Sequence, residues 1–190
     1  MKRTISILLC VVLALACFAS CGKKDSSDTS TTTKAKKTVK LVDIDLTEEE
    51  YAFGIDKNQA DLLKKTNEYI AKIKDDGTYA EILNHYFGDG KPVGIKSKAE
   101  DSTKEQLVVA TNAAFEPFEY VEGDVYYGID MEIAKGLADY LGVELVIKNM
   151  DFDAVCLTVG QHKCDIAMAG LTVKPEREEY VVFTDSYYTA

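Results

Sequence analysis

Between Gln106 and Phe183, short apolar β-prone runs alternate with amphipathic helical stretches, and few folds accept that alternation. Strands are expected at Gln106–Thr111, Val143–Lys148, Cys164–Met168 and Tyr180–Phe183, with a hairpin pairing Phe118–Tyr120 and Val125–Tyr127 around Gly123-Asp124. Between them, Ile129–Leu141 places Ile133, Leu137 and Leu141 on one helical face. Phe152–Gly160 reads as a helix and Pro175–Glu178 as a helical turn. The pattern predicts an α/β layer with a mainly parallel sheet flanked by helices, whose ligands gather at the carboxyl ends of strands.

Upstream, Thr38–Phe87 reads as strands Val39–Val42 and Tyr51–Ile55, then helices Gln59–Asp75 and Thr78–Phe87. Thr78-Tyr-Ala-Glu81 has the form of a capping box. Gly88-Asp-Gly90 stops the second helix, and Lys91–Lys104 reads as an exposed connector.

The first 21 residues have a different character. Met1-Lys2-Arg3 is basic, Ile5–Ala19 is apolar apart from Ser6, and Phe18-Ala-Ser-Cys21-Gly ends the run. The apolar core is short for a membrane span and has the order of an export leader. Small residues before Cys21 and Gly after it resemble the bacterial lipoprotein signal, which implies acylation of Cys21 and anchoring of the mature protein to the membrane from outside. Residues 22–37, dense in Ser, Thr and Lys, read as a solvated tether, and residues 38–190 as a single lobe.

The chain's formal charge of −10 includes Lys2 and Arg3, so the part after the leader carries −12. Such a surface argues against nucleic acid as a partner and against electrostatic adhesion to anionic lipid. Cys10, Cys17 and Cys21 belong to the leader, leaving Cys156 and Cys164 as small hydrophobes in a core, with a disulfide between them left open. His85 and His162 lie in unrelated contexts, and neither a metal nor a cofactor is indicated.

Two segments carry the candidate chemistry. Ala110–Phe118 and Ala169–Arg177 each follow an apolar run and place small residues and backbone N–H groups where a strand ends. Arg177 adds a guanidinium suited to bidentate pairing with a carboxylate, and Phe115 adds an apolar wall. This is a small-molecule carboxylate site without an evident catalytic group.

These residues resemble a family, the extracytoplasmic solute-binding proteins of polar amino-acid ABC transporters. The resemblance rests on Val108–Glu119, Tyr127–Ala134, Met150–Asp153, Cys164–Thr172, Pro175–Arg177 and Phe183–Tyr188, which follow in the family's order and spacing. Leu46–Ile55, the helix after it, and Asp76–Gly88 resemble the end of such a protein placed before its beginning. The resemblance implies one lobe of a type II periplasmic-binding-protein-like fold in permuted order, residues 38–90 matching the family's C-terminal part and 105–190 its N-terminal part, with no second lobe in this sequence.

It further implies that Arg177 clamps a ligand α-carboxylate. Thr172 would offer an N–H to that carboxylate and a hydroxyl to the α-ammonium, and Gly170 its carbonyl to the ammonium. Phe115 and Phe152 would pack on the ligand's aliphatic part. Asn112 stands where relatives often carry Asp, which favours a neutral polar side chain such as Gln over a cationic one. The implied role is capture of a polar amino acid for an ABC permease, not catalysis. A ligand-sensing or interaction module is a second reading. A dehydratase-like enzyme is a third, disfavoured because the walls named above offer no acid or base beyond neutral Asn112 and Thr172.

Overall fold

A computed structural model of the chain describes residues 48–190. The leader, Cys21, the tether and the strand expected at Val39–Val42 lie outside the described residues. In chain order the elements begin with β1 (Glu50–Tyr51), β2 (Gly54–Asp56), α1 (Ala60–Asp75), α2 (Thr78–Phe87), β3 (Gln106–Thr111), β4 (Ala114–Phe115), β5 (Glu119–Glu122) and β6 (Val125–Tyr127). There follow α3 (Ile129–Leu141), β7 (Glu144–Asn149), α4 (Phe152–Gly160), β8 (Ile166–Ala167), α5 (Pro175–Glu178), β9 (Val181–Phe183) and β10 (Tyr188–Thr189).

The central sheet has the order β7-β3-β8-β2-β9. β3 runs parallel to β7 and β8, whereas β2 is antiparallel to both β8 and β9. Four strands therefore share one direction, as the alternation predicts, and β2 from the upstream segment is inserted against them. The strands are apolar on both faces because both faces are covered. Leu107, Val109 and Ile166 face a cluster closed by Ile70 and Ile73 of α1, Ile82 of α2 and Ile133 and Leu137 of α3. Ala110 and Ala167, one residue further along, face Val155, Cys156 and Val159 of α4. This period-two alternation sets small alanines under α4 and large side chains under the other helices. Phe53, fully buried and stacked on Tyr187 with ring centroids 4.3 Å apart, anchors the upstream segment in this core. Losing a ring of this kind costs about 3–5 kcal/mol.

Several expectations change. Tyr51–Ile55 is not one strand: Ala52 and Phe53 separate β1, which pairs with β10, from β2 in the central sheet. The break is held from far away, the Phe53 N–H donating to Thr184 Oγ1 at 3.0 Å. The capping box is absent, since Thr78 lies inside α2 and left-handed Gly77 caps it, while Asp76 Oδ1 accepts the Thr78 N–H at 3.0 Å. The connector is not wholly exposed, because Ile95 is buried and bridges Tyr126. The Cys164–Met168 strand shortens to β8, and the hairpin gains β4 to form a three-stranded sheet. Cys156 and Cys164 are both buried and unbridged. No helix among the described residues is long and apolar enough to cross a membrane.

Gly128 shows why α3 starts where it does. Its φ is +123°, and a Cβ there would stand 2.1 Å from the Phe118 carbonyl oxygen. Only glycine fits that turn, which aims the first turn of α3, with Asp130, into the interior.

Candidate functional site

The carboxyl ends of three neighbouring parallel strands open on one cavity of about 350 Å³. The loop after β3 supplies Asn112 and Phe115, the segment after β7 supplies Phe152, and the loop after β8 supplies Gly170 and Thr172. Five of the six candidate ligand residues thus line one wall. Arg177, on α5, is not among the lining residues but is tied to two of them. Its Nη1 donates to the Thr172 carbonyl at 2.6 Å, and its guanidinium lies 5.0 Å from the centre of the Phe152 ring.

Backbone geometry explains why Thr172 is suited to an anion. Thr172 forms an antiparallel bridge with Tyr51, flanked by bonds from Ala52 N–H to the Leu171 carbonyl and from Val173 N–H to the Glu50 carbonyl. In such a pair the N–H and C=O of the central residues point outward. The carbonyl already meets Arg177, so the Thr172 N–H emerges on the same side as the guanidinium. Two donors therefore lie on one side of the strand, one of them charged.

Gly170 has a φ of +52°, and a Cβ on it would lie 2.9 Å from the Phe115 ring. Its N–H donates to Asp130 Oδ2 at 2.9 Å, which fixes the loop from beneath. Phe115 stacks on Phe118 yet stays 44% exposed, and Phe152 is 40% exposed, so both rings present apolar faces to solvent at the cavity. Asn112 is partly committed, its Nδ2 donating to the Met150 carbonyl at 2.8 Å and tying the ends of β3 and β7 together.

Besides Ala114 and Ala169, sequence reasoning missed the polar lining residues Glu49, Tyr51 and Glu119. The argument that the walls carry no acid or base beyond Asn112 and Thr172 is therefore corrected. Glu49 Oε2 accepts the Thr172 hydroxyl at 2.9 Å, so that hydroxyl is engaged where it was expected to serve an ammonium alone. Its lone pairs remain able to accept. Glu119 is fully buried, and among the described residues neither of its carboxyl oxygens has a hydrogen-bond partner. Burial, with the charge of Asp130 behind it, pushes the Glu119 carboxyl far above the usual range. Burial raises Asp130 as well, against the opposing bonds it accepts from the Gly170 N–H and the Tyr187 hydroxyl. No group of His, Cys, Asp and Glu among the described residues could hold a metal ion.

An α/β lobe with an open cleft at its strand ends is the class that fold and site define. Residues 107–190 match the model of the bacterial extracellular solute-binding proteins, family 3. Over those residues the chain is similar to that family.

It is 39% identical over 97 residues to the arginine-binding extracellular protein ArtP of Bacillus subtilis, covering 51% of this chain and 38% of ArtP. It is 32% identical over 96 residues to the probable ABC transporter arginine-binding protein ArtJ of Chlamydia trachomatis, covering 50% of this chain and 37% of ArtJ. A cyclohexadienyl dehydratase of Pseudomonas aeruginosa is 33% identical over 82 residues, covering 43% of this chain and 31% of the enzyme. Among solved structures, the arginine-bound form of domain 1 from TmArgBP is 36% identical, with 47% of this chain and 74% of that chain covered and a TM-score of 0.43. The chain spans less than two-fifths of the length of these curated relatives.

Proposed function

We propose that this chain carries one lobe of an extracytoplasmic receptor that captures a polar amino acid and delivers it to an ABC permease. The observation that carries the reading is the bond from Arg177 Nη1 to the Thr172 carbonyl, on the side where the Thr172 N–H points outward, beside a cleft walled by Phe115 and Phe152. A guanidinium and a backbone N–H on one side of the strand suit an α-carboxylate, and the exposed rings suit the aliphatic part of a side chain. Residues 46–88 supply the permuted half of this lobe, through β1, β2, α1 and α2. Anchoring through a lipidated Cys21 completes the proposal.

The acids on the wall bear on ligand choice. Asn112 brings no charge and favours a neutral side chain such as Gln. Glu49 and Glu119 outweigh it, because one carboxyl at the cleft and a second beneath its wall, able to give up a proton, favour a ligand carrying an additional cation. The names of the relatives ArtP and ArtJ support the same choice. A dehydratase-like activity has less support: Glu119 is enclosed beneath Phe115 and Gly170, and Glu49 is bonded to Thr172.

Calorimetric titration of the chain with arginine, lysine, histidine, glutamine and glutamate tests the reading. In a two-lobed version of the protein, Arg177→Ala removes a charge-assisted contact worth about 1.5–3 kcal/mol and should weaken amino-acid binding by about ten- to a hundred-fold. Equal affinity of the parent and Arg177→Ala would remove Arg177 from the site.

A further inference from the structure

Glu119 is a carboxyl placed under a ligand wall with nothing to satisfy it. It opens β5, directly opposite Phe115 of β4, so the two side chains share one face of the small sheet. Its Oε1 lies 3.8 Å from the point where a Cβ of Gly170 would stand, and the same point is 2.9 Å from the Phe115 ring. The carboxyl therefore lies beneath the part of the wall that Gly170 and Phe115 make, shielded from water but not from the field of a group bound above it.

The groups facing Glu119 define its charge state. Asp130 comes from α3, Tyr187 from the segment between β9 and β10, Tyr51 from β1, and Glu49 stands at the cavity. None of these is a cation. Of the two buried acids, Asp130 accepts both nearby donors, the Gly170 N–H and the Tyr187 hydroxyl, whereas Glu119 accepts none. Donors stabilise a carboxylate, so the negative charge belongs on Asp130 and the proton on Glu119. An uncompensated second carboxylate in this pocket would face desolvation and Asp130 together.

We propose that Glu119 keeps its proton in the free protein and releases it when a cationic ligand group binds against the Phe115–Gly170 wall, which couples uptake of a cationic amino acid to loss of one proton. The proton passes to solvent, and the ligand's cation, acting across the wall, compensates the charge of the new carboxylate. Glu119 thereby selects for charge on the side chain rather than for the α-amino-acid group that Arg177 and Thr172 address. The inference rests on the proposed function, since it needs an amino acid in this cleft. Its sign follows from linkage: a ligand that expels a proton binds more tightly as pH rises, by up to about tenfold per unit for one proton.

The experiment is an NMR chemical-shift titration of the chain with L-arginine and with L-glutamine at pH 6, 7 and 8, plus measurement of the base needed to hold pH when arginine is added to an unbuffered sample. Both ligands share the α-ammonium, so glutamine controls for its titration. Arginine affinity should rise about threefold or more per pH unit and protons should be released, while glutamine affinity stays flat. Glu119→Gln, its fold checked by circular dichroism, should bind both ligands without pH dependence. Arginine binding that is flat across this range in the parent, or a slope retained in Glu119→Gln, overturns the proton coupling and leaves the proposed function standing. Failure of both ligands to bind overturns the coupling and the proposed function together.

Discussion

Replacing Glu119 by Gln should make the protein progressively more stable than its parent as pH rises. In the folded chain the carboxyl is buried, unpartnered among the described residues and close to Asp130, which raises its pKa well above the ordinary 4.5. In the unfolded chain it ionises near that ordinary value. Between the two, the folded state binds one proton that the unfolded state has lost. Stability then falls by about 1.4 kcal/mol for each pH unit.

The raised group thus favours folding at low pH, and that contribution is lost progressively as pH climbs from the unfolded value toward the raised folded one. From pH 5 to pH 7 the parent should lose about 2.7 kcal/mol relative to Glu119→Gln, or roughly 10 °C in melting midpoint for a domain of this size. Asp130 cancels in the comparison, because it sees a neutral neighbour in both proteins while Glu119 keeps its proton. The Gln amide brings new buried donors and costs about 1–3 kcal/mol if they go unmet, but that offset is independent of pH. The slope of the difference, not its sign at one pH, is therefore the observable. Urea unfolding at pH 5, 6 and 7 measures it. Parallel curves would mean that Glu119 is ionised in the folded protein and that the burial argument is wrong.

Two further predictions concern individual residues. Asn112→Asp should shift ligand ranking toward cationic amino acids, yet it also removes the Nδ2 donor to the Met150 carbonyl and sets a carboxylate against it, so a loss of about 1–3 kcal/mol in stability should accompany the shift; competition titrations and thermal unfolding read the two effects separately. Cys21→Ser should move the protein from the membrane fraction to the soluble one or leave the leader uncleaved, and unchanged fractionation and mobility would refute lipidation.

The sequence made the sheet and its helices legible where a side-chain period spans whole elements. Ile133, Leu137 and Leu141 mark α3 without help from the rest of the chain, and the apolar run at β3 marks a strand covered on both faces. What escaped was set by distant partners. Ala52 and Phe53 interrupt a strand-like run because Thr184, 131 residues away, takes the Phe53 N–H. β4 and β10 are two residues long and exist through their cross-strand neighbours.

The site divides the same way. Asn112, Phe115, Phe152, Gly170 and Thr172 sit in segments that follow the parallel strands, so a strand-end rule gathers them. Glu49 reaches the cleft only because β1 bridges Thr172 and pairs with β10. Glu119 opens a strand between Phe118 and Tyr120, where a lone charge reads as solvent-facing. Its burial depends on Phe115 across the hairpin and on α3 carrying Asp130 inward.

The central claim is that an amino-acid carboxylate docks between Arg177 and the Thr172 N–H. Backbone and guanidinium NMR of the isotope-labelled chain, titrated with L-arginine and with the arginine analogue lacking the α-carboxylate, tests it most directly. One lobe leaves the bound ions open to solvent, where ion pairs yield only about 0–1 kcal/mol, so the dissociation constant for arginine should be millimolar or weaker. The folded chain should show saturable shifts at the Thr172 N–H, at Gly170 and at the Arg177 guanidinium with arginine. The analogue should leave Thr172 and Arg177 unmoved. Shifts at those two positions with the analogue, or arginine shifts confined to residues away from this cleft, would contradict the account.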